Sequence, residues 1–130
     1  MVKEYNKDCQ IYHLSKEYLD GKSLKPRIPS NTMWGEDRRH KRVCFSTSIV
    51  GCIRALPSAH GEYFVYVPEK RGDTKVFVPS MDEVPDVKWT REKWVRKKVK
   101  VRCIGKLKVL NNPVYDSEKF TFRWLEEYIY

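Results

Sequence analysis

The stretch Arg42–Leu56, RVCFSTSIVGCIRAL, admits few local folds. Val43, Cys44 and Phe45 form a short apolar run with strand character. Ser46, Thr47 and Ser48 then offer three successive hydroxyls, any of which can accept the free N–H groups at a helix start. Ile49, Cys52, Ile53 and Leu56 follow at i, i+3, i+4 and i+7, the spacing of one apolar helix face. Pro57 ends that helix, because it has no N–H and disfavours helix in the residue before it. The expected unit is a buried strand ending in polar groups at the mouth of a short helix, where free N–H groups favour anions. Junctions of this kind also serve purely structural ends, so the stretch alone leaves its role open.

The remainder of the chain reads mostly as strands. Gln10–Leu14 is the expected first strand, and Ser15 is placed to cap a short helix over Lys16–Asp20 closed by Gly21. Leu24–Pro29 is extended because two prolines bracket Arg27 and Ile28. Ser30–Lys41, with Asn31, Gly35 and the charge cluster EDRRHK, reads as a mobile surface loop. Beyond the turn at Pro57–Gly61, Glu62–Pro68 is a strand with both faces covered, and Lys75–Pro79 is its expected hairpin partner. Val99–Leu110 alternates, with a phase break at Gly105 that predicts a β-bulge. Asn111-Asn112-Pro113 is a turn, and Phe120–Trp124 a closing strand. The expected fold is α+β: a small single domain over 1–130, with a largely antiparallel sheet and two short helices in the N-terminal half.

Composition narrows the partners. At 130 residues, with 41% hydrophobic and 13% aromatic residues, the chain can bury a core without staples. A formal net charge of +9 favours polyanionic partners: nucleic acid, a nucleotide or an acidic protein face. The four cysteines make no CxxC pair, and His13, His40 and His60 are not at ligand spacing, so no metal site is expected. The polar start MVKEYNKDCQ does not read as a signal peptide, and no apolar run has the length of a membrane helix. A reduced, soluble, cytoplasmic protein is expected.

Charge concentrates between Lys88 and Lys108. Lys88, Trp89, Arg91, Trp94, Arg96, Lys98, Lys100 and Arg102 combine cations with indole rings, as phosphate contacts and base stacking require. The same lysines also suit the solvated side of an outer strand, where they block edge pairing. Glu92 is the single acid in this run, so its carboxyl is expected to be held low by neighbouring cations. An isolated carboxylate of this kind suits stabilisation of a cationic transition state, and equally a surface ion pair with Lys88 or Arg96.

Three segments together carry a resemblance. IYHLS at 11–15, VCFSTS at 43–48 and REKWVRKKVKVRCIGKLKV at 91–109 occur in the order of the motifs of the ADP-ribosyltransferase-like fold, of the poly(ADP-ribose) polymerase and toxin type. The resemblance covers about a third of the chain and implies a split antiparallel sheet with NAD as substrate, needing no metal. It implies that His13 hydrogen-bonds the nicotinamide-side ribose and that Ser46 lines the nicotinamide pocket. Glu92 would stabilise the ribosyl oxocarbenium. Tyr12, Arg27, Cys44, Phe45, Thr47 and Ser48 would complete the NAD site. Leu14-Ser15 stands where the family has Gly-Thr, and Cys44 and Ala55 stand near its two stacking aromatics. The implied activity is transfer of ADP-ribose to a macromolecular target. In size and charge the chain also resembles phage or mobile-element proteins that act on a host factor. The alternative is a non-catalytic, inhibitor-type binder whose basic, Trp-bearing surface holds nucleic acid, a nucleotide or an acidic partner.

Overall fold

The computed structural model describes residues 3–30, 34–56, 59–110 and 122–125. Pro57, the 111–113 turn, residues 120–121 and the chain after Leu125 lie outside them. The elements are β1 (Lys3–Glu4), β2 (His13–Ser15), β3 (Ser23–Leu24), β4 (Val43–Ser46), α1 (Ile49–Ala55), β5 (Gly61–Pro68), β6 (Phe77–Val78), α2 (Val87–Thr90), β7 (Glu92–Val95), β8 (Val99–Val109) and β9 (Phe122–Trp124). The fold is α+β, and the paired strands run antiparallel in two sheets. One sheet has the order β1-β6-β7-β4; the other has β2-β5-β8-β3, with β9 on β8.

The strand-to-helix unit forms as its pattern requires. Ser48 is the N-cap, its Oγ accepting the Gly51 N–H at 2.9 Å. Cys52 and Ile53 are buried, and Ile49 and Leu56 pack against the same cluster with Leu14, Val65 and Leu107. A second cluster lies around Ile11, Phe45, Tyr66, Val95 and Val101. Tyr12 and Ser46 exchange backbone hydrogen bonds at 2.8 and 2.9 Å, tying the start of β2 to the end of β4 and so one sheet to the other.

β8 shows the expected alternation, with Val99, Val101, Cys103, Leu107 and Val109 buried and Lys100 and Arg102 exposed. The register on β5 shifts between Val65–Gly105 and Tyr66–Cys103, so the extra residue is Ile104, next to the expected break. The freed Cys103 N–H donates to Asp20 Oδ1 at 2.7 Å.

Several expectations are corrected. Lys16–Asp20 is not a helix. Tyr66, from β5, takes its backbone groups instead: the hydroxyl donates to Glu17 O at 2.7 Å and accepts from Leu19 N at 2.6 Å. The second helix is α2, in the C-terminal half. Lys75–Pro79 does not pair with Glu62–Pro68. β5 is already flanked by β2 and β8, and the 3-10 turn Arg71–Asp73 leads β6 into the other sheet. The described part of the 30–41 loop is anchored by Arg42, whose guanidinium binds Glu36 at 2.9 Å and Asp37 at 3.1 Å.

Candidate functional site

A cavity of about 560 Å³ opens among β2, β3, β4 and the end of α1. His13, Ser46 and Glu92 all line it, from three segments of chain. β4 carries Ser46 at its C-terminal end, and antiparallel pairing places Glu92, the first residue of β7, directly opposite. β2 brings in His13 next to the Tyr12–Ser46 bridge.

His13 Nδ1 lies 2.8 Å from the Cys44 carbonyl. A carbonyl only accepts, so Nδ1 carries the hydrogen and the neutral ring keeps Nε2 as an acceptor. Burial lowers the His13 pKa below its usual value, against the pull of the Cys44 carbonyl, and the Arg27 charge lowers it further. Ser46 Oγ donates to the Thr90 carbonyl at 2.6 Å. Gly51 is required beside it: a Cβ there would collide with Ser46 Oγ and the Thr90 oxygen.

Glu92 is buried, at 7% exposure, which corrects both the surface ion pair and the expected low pKa. Burial pushes its carboxyl up to about 7, against the indole N–H of Trp94, which donates to Oε2 at 2.6 Å. Glu36 raises it further, and Arg42 lowers it. Its sequence neighbours contribute little because Arg91, at φ 56 and ψ 37, ends α2 and is exposed, while Lys93 lies on the other side of the strand.

Arg42 and Glu36 also line the cavity and were not singled out from sequence. Arg42 is 1% exposed, with its guanidinium 4.4 Å from the Trp94 ring centroid. The wall is thus a layered set: Glu92 held by Trp94, Trp94 covered by Arg42, Arg42 fixed by Glu36 and Asp37. A cation four places before the end of a strand gives no local signal of this, since its partners come from the preceding loop and from β7.

The other expected residues divide. Arg27, Cys44 and Phe45 line the cavity. Tyr12, Thr47 and Ser48 do not: Tyr12 packs against the α1 cluster, Thr47 N–H reaches Arg91 O at 3.4 Å, and Ser48 is the helix cap. Leu14, Ser15 and Ala55 line the cavity as well. Burial pushes the Cys44 thiol up to about 12, so it is no nucleophile near neutral pH. Of the expected partner surface, Lys88, Arg91, Arg96, Lys98, Lys100 and Arg102 are exposed. Trp89 is half-buried under Arg54, 5.2 Å from its ring centroid. Trp94 is fully buried and leaves that surface, because the alternation that faces Glu92 inward turns Trp94 inward too.

Outside the cavity, Asp37, His40 and Glu83 bring potential metal-ligand atoms within 4.8 Å of one another. Arg42 already places a fixed cation on Asp37, so the cluster is satisfied as a salt-bridge network. No helix among the described residues is long and apolar enough to cross a membrane. No protein-family model, curated protein or solved structure matches this chain.

Proposed function

We propose that this chain is a divergent ADP-ribosyltransferase that binds NAD in the His13–Ser46–Glu92 cavity. The observation that carries the reading is convergence: three residues separated by tens of positions, singled out by one motif order, line a single cavity. Its volume of about 560 Å³ lies in the range of small-molecule sites. The antiparallel two-sheet arrangement, with Ser46 opposite Glu92, also supports it.

The roles follow from the chemistry of each group. His13, fixed by the Cys44 carbonyl, offers Nε2 as acceptor to a ribose hydroxyl. Ser46 gives a rigid polar edge to the nicotinamide end. Ionised Glu92 accepts a ribose hydroxyl and places negative charge beside the sugar as the C1′–N bond breaks. The bond pair leaves with nicotinamide, which departs neutral. The acceptor's nucleophile then bonds C1′ and loses its proton. Small side chains at Cys44 and Ala55 leave the ring without a stacking partner there, so NAD is held weakly. Nicotinamide release that depends on Glu92 tests the reading; activity unchanged in Glu92→Gln would refute it.

A further inference from the structure

A second groove, of about 880 Å³, is lined by Lys70, Lys75, Arg96, Lys97, Lys98 and Lys100. Two acids, Glu69 and Asp73, share it, and Glu69 is engaged by Lys100 at 3.5 Å. Phe77, Val95 and Val99 contribute apolar surface. Ser23 and Leu24 line the cavity, and their strand partners Lys100 and Val99 line the groove.

We propose that this groove binds the phosphodiester backbone of a single-stranded nucleic acid. Arg96, Lys97 and Lys98 make up the whole connection between β7 and β8, so three like charges are held together where the chain changes sheets. Charge carried for solubility alone has no need to be concentrated at one crossing; a polyanion relieves that repulsion. Lys98 and Lys100 alternate on an extended backbone, about 7 Å apart, and present a track rather than one point. Five of the six cations are lysine, a point charge that can follow successive phosphates without a fixed bidentate geometry. Half-buried Phe77 offers a ring face on which a base can stack. This surface differs from the one expected from sequence: Lys88, Trp89, Arg91, Trp94 and Arg102 drop out, and Lys70 and Lys75 join. It does not depend on what the first cavity binds.

The test is fluorescence anisotropy of the full chain with labelled oligo(U) and oligo(dT) of about 20 nucleotides, longer than one single-strand site. The groove variant is Lys75→Gln/Lys97→Gln/Lys98→Gln. The control, Lys7→Gln/Lys22→Gln/Lys41→Gln, removes equal charge from exposed positions elsewhere. Thermal melting checks that both variants fold. Wild type should bind with log K falling linearly in log salt, at about 0.7 per phosphate contacted. The groove variant should lose about tenfold or more in affinity, with a slope shallower by about 2, while the control stays near wild type. Equal losses in both variants, salt-independent binding, or no binding would overturn the proposal. So would stronger competition by poly-glutamate than by unlabelled oligonucleotide, which would assign the groove to an acidic peptide.

Discussion

Trp94 donates its indole N–H to Glu92 Oε2 across 2.6 Å, two residues along one strand, with both side chains buried. The bond fixes the carboxylate in the cavity wall, while burial sets its pKa to about 7. Glu92 therefore changes charge in the physiological range, and the proposed chemistry needs it ionised. Nicotinamide release should rise with pH through about 7 and level off above it. Trp94→Phe removes a bond that favours the charged form, so the rising limb should move to higher pH. A pH–rate profile on both proteins checks this; an unmoved limb counts against the Trp94 assignment.

The same carboxyl links stability to pH. Its folded pKa of about 7 lies above the ordinary 4.5, so the folded state holds the proton more tightly. The stabilisation is complete below the unfolded pKa and is lost as pH rises through about 7. Glu92→Gln should match wild type at low pH and exceed it above neutrality, by at most about 3 kcal/mol. Urea titrations near pH 4 and pH 8 measure the difference.

Arg42 is a buried cation whose partners, Glu36 and Asp37, come from the preceding loop. Arg42→Leu leaves two carboxylates without their counter-charge and should cost about 3–5 kcal/mol. Arg42→Lys keeps the charge and loses the fork, so it should fall between. A cost under about 1 kcal/mol in equilibrium unfolding would contradict the clamp.

Gly51→Ala should destabilise by about 1–3 kcal/mol, because the new methyl enters space held by Ser46 and the Thr90 carbonyl. A mutant as stable as wild type in thermal melting would show that α1 can retreat from β4.

Ala55 ends α1, is exposed and lines the cavity, so a larger side chain fits there without disturbing the core. Ala55→Tyr supplies a ring face and should lower the KM for NAD several-fold with kcat little changed. Steady-state kinetics separates the two parameters.

The parts of the fold visible in sequence are those written in local periodicity. The apolar i, i+3, i+4, i+7 face of α1 and the alternation of β8 need only neighbouring residues to be recognised. Lys16–Asp20 was misread because its backbone partner, the Tyr66 hydroxyl, lies nearly fifty residues away. The hairpin from Glu62–Pro68 was misread because nothing local marks β5 as flanked on both edges. At the cavity, strand ends carrying His13, Ser46 and Glu92 could be picked out. The charge environment of Glu92 could not: adjacent cations point elsewhere, burial by distant segments raises its pKa, and the groups that adjust it further are Trp94 on its own face and Glu36 and Arg42 from other segments.

The central claim is that the cavity splits NAD with Glu92 as its charged group. Nicotinamide release from NAD at about pH 8, where Glu92 is ionised, tests it with wild type and Glu92→Gln side by side. The account predicts measurable release by wild type and a loss of about a hundredfold or more in the variant, which stays folded. Equal release by both proteins, or none by wild type with and without nucleic acid and cell lysate, would contradict it.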